Sequence, residues 1–165
     1  MNKIDKKVGP ILENVPMDDL LKTPRFETES ERLVGVLIYV SSWMDDCINN
    51  TLKPFDITRP QLNLLMILHN NLPAKLPTGL IATRMIDKTS NVTRLADRLI
   101  SRGVVLRSQN EVNRRIHELS LTPKGMKLFE EIRLAMTKNV WNIPAEKLSE
   151  EEVQALTALL FKLKL

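Results

Sequence analysis

Guanidinium groups recur every four residues in the stretch TSNVTRLADRLISRG (residues 89–103), at Arg94, Arg98 and Arg102. On a helix turning about 100° per residue, Val92, Leu95, Ala96 and Leu99 form one stripe. Ser90, Arg94, Asp97, Arg98 and Ser101 fall on the opposite side, with Asn91 and Thr93 at its margins. The apolar stripe has to be buried. The other face offers hydroxyls, an amide and guanidinium forks, which suit phosphates and base edges. Thr89, Ser90, Asn91, Thr93, Arg94 and Arg98 are therefore candidate DNA contacts. Free backbone N–H groups at the start of the helix favour phosphate as well, and Thr89 or Asp87 is the expected cap. The plainer alternative is a solvated face laced together by Asp97. A second cationic pair, Arg114 and Arg115, ends the polar run QNEVNRR.

Cationic charge is concentrated around these groups. Ten Lys and Arg face four Asp and Glu between Arg84 and Lys127, a local charge of +6, whereas the rest of the chain sums to −2. Such a basic middle suits a polyanionic partner. The enzyme classes find no support. His69 and His117 lack Cys or carboxylate companions at metal-ligand spacing. No nucleophile stands beside a base, and the five glycines form no phosphate-binding loop. No metal and no cofactor are expected. Cys47 is the only cysteine, so no intrachain disulfide can form, which fits a reducing, cytoplasmic setting. It follows Asp45 and Asp46 on an apolar stripe, a place for a buried structural thiol rather than a reactive one. No apolar run is long enough to span a membrane.

The elements that must position these groups can be read from caps and breaks. Residues 1–27, punctuated by Pro10, Pro16 and Pro24, read as an N-terminal extension. TESE (28–31) is a capping box opening a long helix to about Leu52, stopped by Pro54. TRPQ (58–61) opens the next helix, with Pro60 in its first turn. A short helix over 78–85, a turn at Ile86–Asp87 and the basic helix follow, closed by Gly103. VVLRS and IHELSL read as strands of a hairpin with Arg114 and Arg115 at its tip. Thr122 and Pro123 restart a helix to about Val140, 142–144 interrupt it, and SEEE (149–152) caps a last amphipathic helix. Helix, turn, basic helix and hairpin in that order make a winged helix-turn-helix, with the basic helix in the major groove and the hairpin tip at the neighbouring backbone or minor groove. The fold class is mainly α with a small β-hairpin wing.

Three segments resemble the MarR family of transcriptional regulators. ITRPQLNLLMIL (57–68) is similar to the family's Leu-Thr-x-x-Gln entry to its second helix. VTRLADRLISRGVV (92–105) resembles its Val-Thr-Arg-Leu-x-Asp-Arg-Leu followed by Gly-Leu-Val. Asn113-Arg114-Arg115, five residues, then Leu121-Thr122-x-x-Gly125 is similar to its acidic-x-Arg wing and Leu-Thr-x-x-Gly restart. Asn113 departs from the family's carboxylate; an amide can bond a neighbour but cannot neutralise it. The resemblance covers about 31–165. It implies a regulator that acts as a homodimer on a pseudo-palindromic site of double-stranded DNA. It assigns 57–125 to the DNA-binding lobe and 28–53 and 122–165 to dimerisation helices within one domain, 28–165. It also implies an effector pocket for a small aromatic ligand, for which Tyr39, Trp43, Met44 and Met66 are the candidates. The expected function is thus a cytoplasmic, sequence-specific repressor, not an enzyme, released by a small-molecule or redox signal. The competing reading is a winged-helix protein-interaction module whose basic patch meets an acidic partner.

Overall fold

The structure is a computed structural model and describes residues 26–164. Most of the expected N-terminal extension (residues 1–25) and Leu165 lie outside the described residues. Of the described residues, 26–46 fall in one compact unit and 47–164 in another, the division lying inside the first helix.

Helix α1 (Glu29–Leu52) starts at Thr28, whose Oγ1 accepts the Glu31 N–H at 3.2 Å. The Glu31 carboxylate reaches back to the Glu27 N–H at 2.9 Å, one residue outside the expected box. In the first unit this helix leaves Leu33, Val34, Ile38 and Val40 exposed. In the second unit it ends on buried Cys47, Thr51 and Leu52, and a 3₁₀ turn at Lys53–Phe55 follows. Helix α2 (Arg59–His69) has the complete capping box between Thr58 and Gln61, with Pro60 in its first turn.

A two-residue strand β1 (Leu76–Pro77) leads into α3 (Thr78–Arg84), a turn, and α4 (Val92–Ser101). Strands β2 (Val105–Gln109) and β3 (His117–Leu121) form the hairpin, and β3 lies between β1 and β2 in an antiparallel sheet. The pairing of Leu76 with Leu119 was not visible in the sequence, because two residues carry no alternation. Helix α5 (Pro123–Met136) is capped by Thr122 and runs on through a π turn at Thr137–Trp141. The expected break at 142–144 instead opens a short helix, α6 (Ile143–Lys147), with Pro144 in its first turn, where a missing N–H costs nothing. Helix α7 (Glu150–Lys164) begins at Ser149 and Glu152, which exchange bonds of 2.8 and 3.3 Å as a capping box.

The core of the second unit is aliphatic, in keeping with the scarcity of aromatics. Leu64, Leu65 and Leu68 of α2 and Ile81 of α3 are sealed off with Leu99 of α4, Leu119 of β3 and Ile132 of α5. This is a mainly helical winged-helix architecture with one three-stranded sheet.

Candidate nucleic-acid interface

Helix α4 is held by its apolar stripe. Val92, Ala96 and Leu99 are buried, and Leu95 is half-buried at the edge. Thr93, Arg94, Asp97, Arg98 and Ser101 face out, as the helical arithmetic requires. The cap, however, is Asn91. Its Oδ1 accepts the Arg94 N–H at 3.0 Å, so α4 starts after Asn91 rather than at Thr89 or Asp87.

Thr89 and Ser90 form a turn around Asp87 instead. The Thr89 N–H and hydroxyl donate to Asp87 Oδ1 at 2.9 and 2.7 Å, and Ser90 Oγ donates to Oδ2 at 3.1 Å. Hydrogen bonds from the Thr89 side chain, the Thr89 backbone and Ser90 hold the Asp87 carboxyl below the ordinary aspartate range. Lys88 Nζ donates to the Thr83 carbonyl at 2.6 Å and closes the turn onto α3.

The arginines divide into two groups. Arg102 donates to the Asp56 and Phe55 carbonyls and lies 3.7 Å from the Asp56 carboxylate. It therefore ties the end of α4 to the turn before α2, where Asp56 adopts a left-handed φ of 51°. Arg107 on β2 donates to Asp97 Oδ1 at 2.6 Å and so consumes the acidic group of α4. Neither Arg94 nor Arg98 makes a side-chain hydrogen bond or ion pair among the described residues. Together with Thr89, Asn91 and Leu95 they line a shallow open groove. The Arg107–Asp97 contact bridges residues ten apart on different elements, and no local pattern signals it.

The hairpin tip is ordered by amides. Asn110 Oδ1 accepts the Val112 and Asn113 N–H groups at 3.0 and 2.9 Å. Asn113 Oδ1 accepts the Arg115 N–H at 3.1 Å and holds backbone rather than a guanidinium. Arg114 and Arg115 are exposed.

Of the residues considered for an effector, Tyr39, Trp43 and Met44 lie on α1 and Met66 lies on α2; Tyr39 is exposed and the other three are half-buried. Cys47 is buried. Among the described residues no group of His, Cys, Asp or Glu is arranged to hold a metal, and no helix is long and apolar enough to cross a membrane.

Residues 57–117 match the family model described as "MarR family". The chain is 35% identical over 121 residues to the HTH-type transcriptional regulator YfiV of Bacillus subtilis (strain 168), covering 71% of this chain and 66% of that protein. It is 38% identical over 97 residues to the HTH-type transcriptional repressor MdtR of the same organism, covering 59% and 61%. The alignments thus span slightly less than two thirds of these relatives. Among solved structures, a mutant MarR from E. coli complexed with operator DNA matches with a TM-score of 0.70 and 26% identity, over 85% of this chain and 99% of that one.

Proposed function

This chain belongs to the MarR family, and from that premise we propose that it is a sequence-specific DNA-binding transcriptional regulator and not an enzyme. It acts in the cytoplasm as a homodimeric repressor on a pseudo-palindromic operator. The observation that carries this reading is the division of the arginines. Arg102 and Arg107 are tied into the fold, while Arg94 and Arg98 stand exposed and without internal partners on the outer face of α4. Leaving two guanidinium groups unpaired on one face is of little use to a structural helix and suits the edges and phosphates of a major groove. Thr93 shares that face, Thr89, Ser90 and Asn91 flank its start, and Arg114 and Arg115 extend it through the wing. The structural relative solved with operator DNA supports the same use of the lobe.

The two recognition helices of a dimer must meet grooves about 34–36 Å apart. The second copy covers the apolar faces that α1 and α7 leave exposed. A small aromatic ligand alters that spacing and lowers affinity, and Tyr39, Trp43 and Met44 on α1 and Met66 on α2 are each candidates to contact it. Footprinting on DNA upstream of the protein's own gene, repeated with a panel of aromatic acids and with peroxide, tests the proposal. A protected, sequence-selective, salt-steep site is expected. Retention on heparin without any selective footprint would instead favour a protein-interaction module.

A further inference from the structure

The hairpin tip carries an apolar side chain to which the recognition chemistry above gives no role. Val112 is 97% exposed, although it is apolar and β-branched. The turn that displays it is well bonded. Besides the two N–H groups accepted by Asn110 Oδ1, Asn110 Nδ2 donates to Glu118 on β3 at 2.7 Å, and the Ile116 N–H donates to the Asn113 carbonyl at 2.9 Å. The N–H groups of Val112, Asn113, Arg115 and Ile116 are thus used within the tip. Side chains are left to meet a partner there, namely Glu111, Val112, Arg114 and Arg115. The Arg107–Asp97 pair fastens the base of the same hairpin to α4, so the tip is held in register with the recognition helix.

A stiff apolar side chain presented to water beside two guanidinium groups fits a surface with anionic rims and a floor that presents no donor. The minor groove over A·T pairs is such a surface. Its floor carries acceptors and the adenine C2–H, whereas a G·C pair adds the guanine N2 amino donor. Valine has no acceptor for that donor, so pressing its methyl groups over a G·C step leaves the amino N–H that is not paired to cytosine without water or partner. Over an A·T step no donor is lost. We propose that Val112 is a specificity-determining residue that sits on the minor-groove floor and selects A·T over G·C at the step it covers. Arg114 and Arg115 hold the phosphates on either side. The proposal rests on the DNA-binding reading above.

Footprinting first locates the minor-groove steps beside the protected major-groove segment. Fluorescence anisotropy then compares duplexes carrying A·T, inosine·cytosine or G·C at those steps, since inosine differs from guanine only in lacking the 2-amino group. The A·T and inosine duplexes are expected to bind alike and the G·C duplex roughly five- to tenfold more weakly. Val112→Ala brings all three within about twofold of one another, while Arg114→Ala weakens all three together. Equal binding of inosine and guanine duplexes by the native protein overturns the assignment, as does full discrimination by Val112→Ala. Either result leaves the footprint, and so the DNA-binding reading, intact; a missing footprint removes both.

Discussion

Three arginines at four-residue spacing look equivalent in the sequence, and only two stay on the recognition face. Each four-residue step advances the helix by about 40° beyond a full turn, so Arg102 has rotated well away from Arg94. It also lies at the C-terminus of α4, within reach of the Phe55 and Asp56 carbonyls. The helical face was therefore legible from sequence, but the fate of Arg102 depends on a turn 46 positions away that no periodicity encodes. The two kinds of arginine should separate experimentally. Arg94→Ala is expected to cost specific binding about 1–3 kcal/mol with thermal stability unchanged. Arg102→Ala is expected to lower the melting temperature, because it removes the partner of two carbonyls. Equal effects of the two changes on operator affinity would undo the distinction. Asp87 supplies a second residue-scale prediction. Its folded carboxyl titrates below the ordinary range because Thr89 and Ser90 donate to it. The order it gives the turn is complete above the unfolded value, and it is lost as pH falls through the ordinary range and then the lower folded one. An NMR titration should place its midpoint below that of an ordinary aspartate, and Asp87 should add no pH dependence to DNA binding between about pH 5 and 8.

At the scale of elements, capping chemistry was the most readable feature. Thr58, Thr122 and Ser149 each cap the helix that their motifs announce, because a cap is a local bond between residues three apart. At α4 two short polar residues precede the true cap, and the competition between them is settled by Asp87, which takes Thr89 and Ser90 for its own turn. The short strand β1 and the π turn after α5 were not legible, since both are decided by packing against other elements. Gly125 marks the closest of these approaches. A Cβ there would lie 2.0 Å from the Val104 carbonyl oxygen, so the restart of α5 presses directly on the base of the wing. Gly125→Ala should therefore destabilise the lobe by about 2 kcal/mol or more, read as a lower midpoint in urea unfolding. Gly103→Ala meets no atom but would hold alanine at a φ of +68°, and should cost only about 1 kcal/mol. The wing is expected to act as a unit in binding. Replacing Arg114 and Arg115 together with Ala should weaken binding to every sequence and flatten the salt slope by roughly one to two units. An unchanged slope would place the tip away from phosphate.

For the whole molecule, the exposed apolar stripe of α7 is the feature that a lone chain does not account for. Leu156, Leu159, Leu160 and Leu163 recur at the spacing of a single helical face and are 47%, 62%, 40% and 62% exposed, with Phe161 63% exposed beside them. On a monomer this would be a contiguous apolar patch open to water, of the kind that marks an interface. Replacing one such leucine on a free surface changes stability by no more than about 0.5 kcal/mol. If the stripe is instead the seam between two copies, Leu159→Glu buries a charge in that seam, and the dimer loses several-fold to many-fold in association. Sedimentation equilibrium separates the cases, since the native protein should be dimeric at micromolar concentration and Leu159→Glu monomeric, with its fold retained by circular dichroism. Operator affinity should then fall with the dimer, because on the proposed two-half-site operator each lobe alone would span one half-site and both would have to bind together to gain the affinity of the pair. A native protein that sediments as a monomer would show the stripe to be covered by something else, and the two-groove geometry of recognition would have to be abandoned with it.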